Sequence, residues 1–317
     1  MSTRVVVLAG GLSAERDVSL RSGRRVAEAL RASAPEFEVA EADVDSNLLD
    51  MFRVDPPDCV IPLLHGAAGE DGSLRDVLES LGIPFVGSTG DSCRLSFDKP
   101  IAKSLVSGFG VNTPASVALP HSTFRELGAQ PVLNAVIARI GLPLMVKPTK
   151  GGSALGASVV HTAAEFPSAM VGAFAYSEVA LMEHFVAGTE ISVCVYDTSD
   201  GPVALPAVEI VPPAGIYDYN ARYTAGTTEF FVPARLATDV AEAVAAVALE
   251  AHSGLGLRDW SRTDLIVDES GTPWFLEVNV APGMTETSLF PQALSQAGVV
   301  LGDLARDLVL NAISRRS

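Results

Sequence analysis

The sequence predicts a mixed α/β protein whose N-terminal part is built on a parallel sheet. Residues 1 to about 98 alternate short apolar runs with helical patterns, as in strands that are joined by crossover helices. The first run is apolar at nearly every position, which is typical of a parallel strand covered on both faces. From Ile191 onward the chain is rich in strands. With 317 residues, 48% of them hydrophobic, it is long enough for two or three domains with cores of their own.

The composition weighs against several classes of protein. A formal net charge of −16 argues against nucleic-acid binding, which needs a basic face. No apolar run reaches the ~18 residues of a membrane helix, and the start of the chain is typical of a strand, not of a signal peptide. Cys59, Cys93 and Cys194 lack C-x-x-C spacing, which argues against zinc or a disulfide framework and for a reduced compartment. We therefore expect a cytoplasmic protein that binds neither nucleic acid nor membranes.

The first candidate ligand loop follows a strand predicted at residues 5–8. A helix is predicted over residues 14–31, with Ser13 as its N-cap. The turn between them lacks the G-x-G-x-x-G dinucleotide fingerprint, but it opens at the carboxyl end of a strand, where α/β sheets bind ligands. Glu15 is either a favourable charge at the positive end of the helix dipole or a carboxylate that faces a ligand's ammonium group.

A second candidate loop, residues 65–72, follows the strand predicted at residues 59–64. It contains three glycines, which suits a loop that closes on a ligand. His65 is either part of that site or an ordinary solvated turn residue. A helix is predicted after it, over residues 73–81.

The central part of the chain begins with a helix predicted over residues 99–107 and has an unusual charge composition. Although arginine is used elsewhere, every lysine falls between residues 99 and 150. Compact ammonium groups suit phosphate binding. The lysines are Lys99, Lys103, Lys147 and Lys150.

A hairpin is predicted where a strand over residues 142–147, a glycine-rich turn and a strand over residues 157–161 follow one another. Backbone N–H groups in such a turn can bind phosphates, although the turn is not a Walker A loop. Taken alone, it is equally consistent with an ordinary turn. The irregular segment over residues 211–231 is long enough to be a lid or binding loop. The other predicted elements are helices over 163–176, 236–253, 291–297 and 301–314 and strands over 191–196 and 203–210.

The strongest chemical signal comes from two strands near the C-terminal end. Alternation over residues 274–280 places Glu277 and Asn279 on one face, and Arg262 and Asp264 share a face of the strand upstream. As a hairpin, the strands would gather two carboxylates and an amide oxygen, ligands that suit Mg2+ bound together with nucleotide phosphates. In the alternative interpretation, Asp264 pairs with Arg262 and Asn279 caps the next turn.

Taken together, these motifs resemble those of the D-alanine–D-alanine ligases, a family with the ATP-grasp fold. The resemblance runs in order from Val5 to about Leu310. The motifs lie at residues 10–16, 65–72, 146–148, 217–223, 262–264 and 276–285.

The resemblance implies a division into an N-terminal α/β domain, residues 1–98, and two ATP-grasp subdomains, residues 99–186 and 187–317. The ATP-grasp region would span about residues 103–313, with ATP held between the central and C-terminal domains. The implied reaction makes peptidoglycan precursors: ATP phosphorylates one D-alanine, and the amine of a second D-alanine attacks the acyl phosphate. A homodimer is also implied.

The resemblance also implies roles for individual residues. Asp264, Glu277 and Asn279 would hold two Mg2+ ions, with Mn2+ as an alternative. Nucleotide contacts are implied for Lys99, Lys147, Glu183, His184, Val186, Glu190 and Arg222. Substrate contacts are implied for Glu15, His65, Arg262, Gly283, Ser288 and Leu289. Ser153 and Tyr223 would join Glu15 by hydrogen bonds and close a loop over the site.

Three positions depart from the family pattern. Arg222 replaces a lysine, Ala154 replaces a serine, and Glu286 adds a carboxylate. These departures leave open a ligase for another amino acid pair, and a ligase that joins D-alanine to D-lactate is a nearer rival that Tyr223 argues against. A non-catalytic nucleotide-binding protein is a third alternative, although neither the metal ligands nor Arg262 are lost.

Overall fold

Three sheets organise the described residues, 2–13, 15–213, 217 and 226–315, of the computed structural model. The strands are β1 Thr3–Leu8, β2 Phe37–Ala42, β3 Cys59–Pro62, β4 Ser116–Pro120, β5 Leu144–Pro148, β6 Ser158–Val160, β7 Val179–His184, β8 Thr189–Thr198, β9 Gly201–Ala204, β10 Val208–Val211, β11 Glu229–Phe231, β12 Trp260–Val267 and β13 Pro273–Asn279. The helices are α1 Arg16–Ser33, α2 Leu48–Val54, α3 Ala67–Glu70, α4 Ser73–Ser80, α5 Gly90–Phe97, α6 Lys99–Gly108, α7 His121–Leu127, α8 Ala129–Ile140, α9 Phe166–Phe174, α10 Thr238–Gly254, α11 Leu289–Gln296 and α12 Leu301–Ser314.

The N-terminal sheet is parallel, with the strand order β2–β1–β3. Val5 and Val7 pack into one core with residues of α1 and α12, and Val6 and Leu8 pack into another with residues of α2 and α4. Apolar side chains are therefore needed on both faces of β1, which explains its uninterrupted apolar sequence. The predicted α/β class and parallel N-terminal sheet are confirmed.

The start of α1 differs from the prediction. The helix begins at Arg16 and Glu15 is the residue before it, so Ser13 is not the N-cap. Instead, the Ser13 hydroxyl accepts a hydrogen bond from the backbone N–H of Glu15 at 3.2 Å. The side chain of Ser13 therefore shapes the turn that presents Glu15.

The central sheet is antiparallel and has the strand order β4–β7–β5–β6. Strands β5 and β6 form the predicted hairpin, and its glycine-rich turn spans residues 149–157. Leu144, Val146 and Met182 pack with Phe166 of α9 and thereby hold one face of this sheet.

The third sheet has the order β11–β10–β8–β12–β13, and β9 also pairs with β8. The prediction of one continuous strand over residues 203–210 is wrong, because this segment contains parts of two separate strands, β9 and β10. Ala204 lies opposite Val195, and Val208 lies opposite Ser192. Four steps along the chain thus match three along β8, and the chain bulges around Pro206, which has no N–H to give to the ladder.

Asp259 joins the N-terminal sheet to the third sheet. It has a positive φ of 68° and is buried. Its carboxylate accepts hydrogen bonds from the Gly87 N–H at 2.6 Å and from both terminal nitrogens of Arg315 at 2.8 Å. Together with the packing of α12 on α1, these bonds set where the start of α1 lies relative to β12. Among the described residues, no helix is both long and apolar enough to span a membrane.

Candidate active site

A cavity of about 770 Å³ lies between the central and third sheets. The glycine-rich turn and β7 line one side of it, and β10, β12 and β13 line the other. The predicted nucleotide and metal residues that line it are Lys99, Lys147, Glu183, His184, Val186, Glu190, Asp264 and Glu277. Asn279 is not part of the lining, and Arg222 and Tyr223 lie outside the described residues.

Glu183 is the centre of a buried ion cluster in the wall of the cavity. One of its carboxylate oxygens lies 2.6 Å from Lys147 Nζ, and the other lies 2.9 Å from Lys103 Nζ. Burial would raise the pKa of Glu183, but the two lysines outweigh it and hold the pKa below its ordinary value. A contact between Glu183 and adenine stays a prediction. It would use the carboxylate lone pairs that do not face the two lysines.

Lys99 ties the glycine-rich turn to the third sheet. Its Nζ donates to the carbonyl oxygen of Gly151 at 2.7 Å and lies 3.1 Å from Glu277 Oε2. Lys99 opens α6 after Asp98, whose side chain accepts a hydrogen bond from Ile101 N–H at 3.4 Å. The helix therefore presents an ammonium group where the turn and β13 meet.

Asp264 and Glu277 lie directly opposite each other on β12 and β13, as the hairpin prediction required. Arg262 donates from Nε and Nη2 to the two oxygens of Asp264, both at 2.9 Å. The Asn279 side-chain oxygen accepts a hydrogen bond from Ala281 N–H at 2.8 Å. These contacts are the ones that the alternative interpretation expected.

The same residues nevertheless fit a magnesium ion that binds together with a nucleotide. The two carboxylates supply hard oxygen ligands on one face, and both line the cavity. No group of three or more His, Cys, Asp or Glu side chains within the described ranges could hold a metal ion alone. The set would have to be completed by Asn279 and by oxygen atoms from outside the chain, such as those of phosphate groups.

The predicted substrate residues lie beside the cavity and are not part of its lining. Ser153 Oγ donates a hydrogen bond to Glu15, which joins the glycine-rich turn to the start of α1. Arg262, which is not part of the cavity lining, donates to Asp264, which is, so it joins the predicted substrate residues to the cavity. Gly66 has a φ of 76°, and a Cβ there would lie 3.5 Å from a Glu15 oxygen, so the second loop also closes on Glu15.

His65 and Glu70 place two buried titratable groups near Glu15 and Arg262. Burial lowers the pKa of His65, so its ring is neutral at pH 7. Burial and the neighbouring Glu15 raise the pKa of Glu70 to about 7, although its carboxylate accepts a hydrogen bond from Gly66 N–H at 2.8 Å.

The raised pKa of Glu70 predicts a pH-dependent loss of stability. Between its ordinary pKa of 4.5 and its folded pKa of about 7, the folded chain keeps a proton that the unfolded chain has lost. Stability should therefore fall as the pH rises through this window. We expect the Glu70→Gln variant to be more stable than the wild type at pH 8 by about 1–3 kcal/mol and nearly equal to it at pH 5.

Urea unfolding at pH 5 and pH 8, without nucleotide or metal, measures this difference. Glu79→Gln, at an exposed glutamate on α4, is the matched control and should leave the pH dependence unchanged. An equal pH dependence in the wild type and the Glu70→Gln variant would contradict the assignment.

The loop before α11 holds the predicted sites for charge stabilisation and for the second substrate. Thr285 N–H donates to Ser288 Oγ at 3.0 Å, and Met284 N–H donates to Ser22 Oγ of α1 at 3.0 Å. A Cβ on Gly283 would lie 2.9 Å from Ser288 Oγ, so a side chain there would displace the Ser288 hydroxyl. The Leu289 side chain packs in the core, which leaves its backbone for any substrate contact.

Comparison with known proteins agrees with this architecture. The sequence model of the family described as "D-ala D-ala ligase C-terminus" matches residues 105–310. A D-alanine–D-alanine ligase of Pelotomaculum thermopropionicum is 37% identical to the chain, covering 98% of it and 96% of that relative. The chain belongs to the D-alanine–D-alanine ligase family.

Solved structures give the same fold. A D-alanine–D-alanine ligase from Bacillus anthracis complexed with ATP has a TM-score of 0.79 at 27% identity, over 99% of this chain and 97% of that one. The VanG D-Ala:D-Ser ligase from Enterococcus faecalis has a TM-score of 0.83 at 26% identity, over 98% of this chain and all of that one. The resemblance inferred from the sequence and the ATP-grasp fold are both confirmed.

For this member of the D-alanine–D-alanine ligase family, the residue-by-residue predictions missed three buried side chains next to the site. Lys103 had a signal, because it belongs to the lysine cluster. Glu70 had one too, because it lies in the loop with His65. Ser22 had none, since its bond to Met284 joins positions far apart in the sequence.

Proposed function

We propose that this chain is an ATP-dependent D-alanine–D-alanine ligase. The observation that carries the proposal is the position of the cavity. The cavity is faced by Lys99, by Lys147 and by two opposed carboxylates. Beside the cavity lie Arg262 and the hydrogen-bonded pair of Glu15 and Ser153. A site for phosphates thus adjoins a site with one carboxylate for an ammonium group and one guanidinium for a carboxylate.

The nucleotide would occupy the cavity with its phosphates near Lys99 and Lys147. Glu190 would meet the ribose, and Glu183 with the backbone through Val186 would meet the adenine. Asp264, Glu277 and Asn279 would hold Mg2+, and when bound the ions neutralise charge on the phosphates.

The first D-alanine would bind with its ammonium group at Glu15 and its carboxylate near Arg262. That carboxylate attacks the terminal phosphorus of ATP, and ADP leaves. The amine of the second D-alanine, after losing a proton, attacks the acyl carbon, and inorganic phosphate leaves. Arg262 and the Gly283 N–H would stabilise the oxyanion, while Ser288 and the Leu289 backbone would bind the second carboxylate.

The finer assignments rest on the family likeness. We propose domains at residues 1–98, 99–186 and 187–317, a homodimer, a cytoplasmic location and a role in peptidoglycan precursor synthesis. The solved D-Ala:D-Ser ligase of similar fold makes D-serine the second candidate for the acceptor. The Glu286 side chain is exposed, which favours a solvent-facing role over contact with substrate.

Phosphate release with Mg-ATP tests the proposal directly. The panel contains D-alanine, L-alanine, D-serine, and D-alanine with D-lactate, and products are identified by mass. Release with D-alanine alone, matched by an equal amount of dipeptide, is the expected result. Release only with another pair would move the substrate assignment to Ala154, Arg222 and Glu286. No release with any pair would favour a non-catalytic nucleotide-binding protein.

Removing the Ser153 hydroxyl is expected to uncouple ATP hydrolysis from peptide formation. Without the bond to Glu15, the glycine-rich turn loses a contact that closes it over the site, and water can reach the acyl phosphate. In the Ser153→Ala variant, phosphate release should exceed dipeptide formation. Thr162→Ala, which removes an exposed hydroxyl next to the same hairpin, should keep the two equal. Unchanged coupling in Ser153→Ala would remove this residue from the mechanism.

A further inference from the structure

Lys103 is a buried cation behind the cavity that the proposed mechanism does not use. Its side chain is 4% exposed, and it is not part of the cavity lining. Its Nζ lies 2.9 Å from Glu183 Oε2 and donates to the carbonyl oxygen of Phe275 at 3.1 Å. It therefore cannot touch a ligand in the cavity, and its effect must pass through other residues.

The charges of the cluster show what that effect is. Glu183 alone would be neutralised by Lys147, which lies 2.6 Å away, and the pair would present no net charge to the cavity. Lys103 occupies the second oxygen of the same carboxylate. Two ammonium groups then share one carboxylate, and the cluster keeps a net charge of +1. Lys147 is the member that lines the cavity together with Glu183, so the excess positive potential is felt there.

The backbone contact adds a geometric role. Lys103 lies one helical turn after Lys99 on the same face of α6, because residues four apart on a helix are neighbours. Lys99 contacts Glu277, and Lys103 contacts the carbonyl of Phe275 on the same strand, β13. The two lysines thus fix α6 against β13, while Lys103 also reaches β7 through Glu183.

We propose that Lys103 is a positioning residue that keeps the back wall of the cavity positively charged toward the phosphates of a nucleoside triphosphate. It does so by sharing Glu183 with Lys147. The inference rests on the proposed function, because it takes the occupant of the cavity to be ATP.

The protonation of Lys103 supports this role. Burial lowers the pKa of Lys103 to about 8, although Glu183 opposes the shift; Lys147 adds to it, and Glu277 opposes it. Lys103 carries its charge below that pH and loses it above. In the wild type, triphosphate affinity should therefore fall as the pH rises through 8, in a step that a variant without Lys103 lacks.

The test compares Lys103→Met with the double variant Lys103→Met/Glu183→Gln. The probe is the non-hydrolysable analogue adenylyl imidodiphosphate with Mg2+, titrated without D-alanine and followed by calorimetry. In Lys103→Met we expect its dissociation constant to rise about tenfold to a hundredfold, as for loss of a charge-assisted contact. The affinity for adenosine, which has no phosphate, should not change.

The double variant separates charge from packing. Replacing Glu183 with the neutral, isosteric glutamine frees the charge of Lys147. Triphosphate affinity, measured relative to adenosine to remove any change at the proposed adenine contact of Glu183, should therefore recover toward the wild type. The double variant then has the same cluster charge of +1 as the wild type, whereas the single variant has none. A merely structural role would make the double variant no better than the single one. With D-alanine present, Lys103→Met should raise KM for ATP and change kcat little.

The matched control is Arg75→Met, which removes another buried cation, 1% exposed, from outside the cavity lining. It is expected to leave triphosphate affinity unchanged. Unchanged affinity in Lys103→Met, or no recovery in the double variant, would overturn the inference alone. Failure of the wild type to bind the analogue would overturn the proposed function and this inference with it.

Discussion

The Glu277→Ala variant is expected to lose at least about a thousandfold in turnover, equivalent to about 4 kcal/mol of transition-state stabilisation. Glu277 supplies one of the two opposed carboxylates that face the cavity. Its loss removes a ligand for Mg2+ and with it the neutralisation of phosphate charge. It also leaves Lys99 without the carboxylate that lies 3.1 Å from its Nζ. Turnover is measured as coupled dipeptide and phosphate formation at saturating ATP.

A readout of the metal itself separates this explanation from a general loss of structure. Mn2+ binding in the presence of the ATP analogue, followed by electron paramagnetic resonance, should weaken in Glu277→Ala. Glu269→Ala is the matched control, because Glu269 is an exposed glutamate in the turn of the same hairpin. It should leave metal binding and turnover unchanged. If Glu277→Ala keeps full turnover, the assignment of Glu277 as a metal ligand is wrong.

The parts of the fold that the sequence predicts well are those set by local pattern. The β12–β13 hairpin follows from period-two alternation, and α12 was predicted with its observed bounds at residues 301–314. The bulge at Pro206 was missed because the residues around it are apolar without interruption, although the register against β8 shifts there by one residue. Such a shift depends on the partner strand, and a single strand's sequence does not contain it.

The candidate site divides in the same way. Asp264 and Glu277 were predicted from residue type and spacing. Lys99 and Lys147 were chosen from the lysine cluster by the family resemblance, and all four line the cavity. The contact between Lys103 and Glu183 was not found, since it joins α6 to β7 and exists only after the sheets pack. The sequence placed Lys103 in the lysine cluster but offered no way to choose its partner.

Asp264 and Asn279 show a third limit. The alternative interpretation expected Asp264 to pair with Arg262 and Asn279 to cap the next turn, and both contacts are present. Neither contact rules out a bound metal ion. Carboxylate and amide oxygens each have more than one lone pair, so an oxygen that accepts a hydrogen bond can also coordinate a cation. Carboxylates that bind a cation need another positive charge when the cation is absent, because an unpaired buried carboxylate is unstable. Arg262 supplies that charge to Asp264, and Lys99 supplies it to Glu277.

The second large effect is expected at Arg262. Its guanidinium donates two hydrogen bonds to the Asp264 carboxylate. That carboxylate also accepts a hydrogen bond from Ser192 Oγ at 2.8 Å. We expect Arg262→Met to lower kcat by about a hundredfold to a thousandfold, as for loss of an oxyanion donor. Because the buried carboxylate of Asp264 also loses its counter-charge, the free energy of unfolding should fall by about 3–5 kcal/mol.

The pattern across substitutions distinguishes the two roles of Arg262. Arg262→Lys keeps a positive charge but not the planar fork, so it should restore much of the stability and little of kcat. Arg31→Met removes an arginine that is paired with Glu41 at 3.0 Å but is partly exposed, and it should cost under about 1 kcal/mol without changing kcat. Urea unfolding and single-turnover kinetics measure the two effects separately. If Arg262→Lys recovers stability and kcat together, Arg262 acts only by balancing Asp264. If stability recovers while kcat does not, the fork itself is needed where charge develops, and Arg262 belongs to the reacting centre.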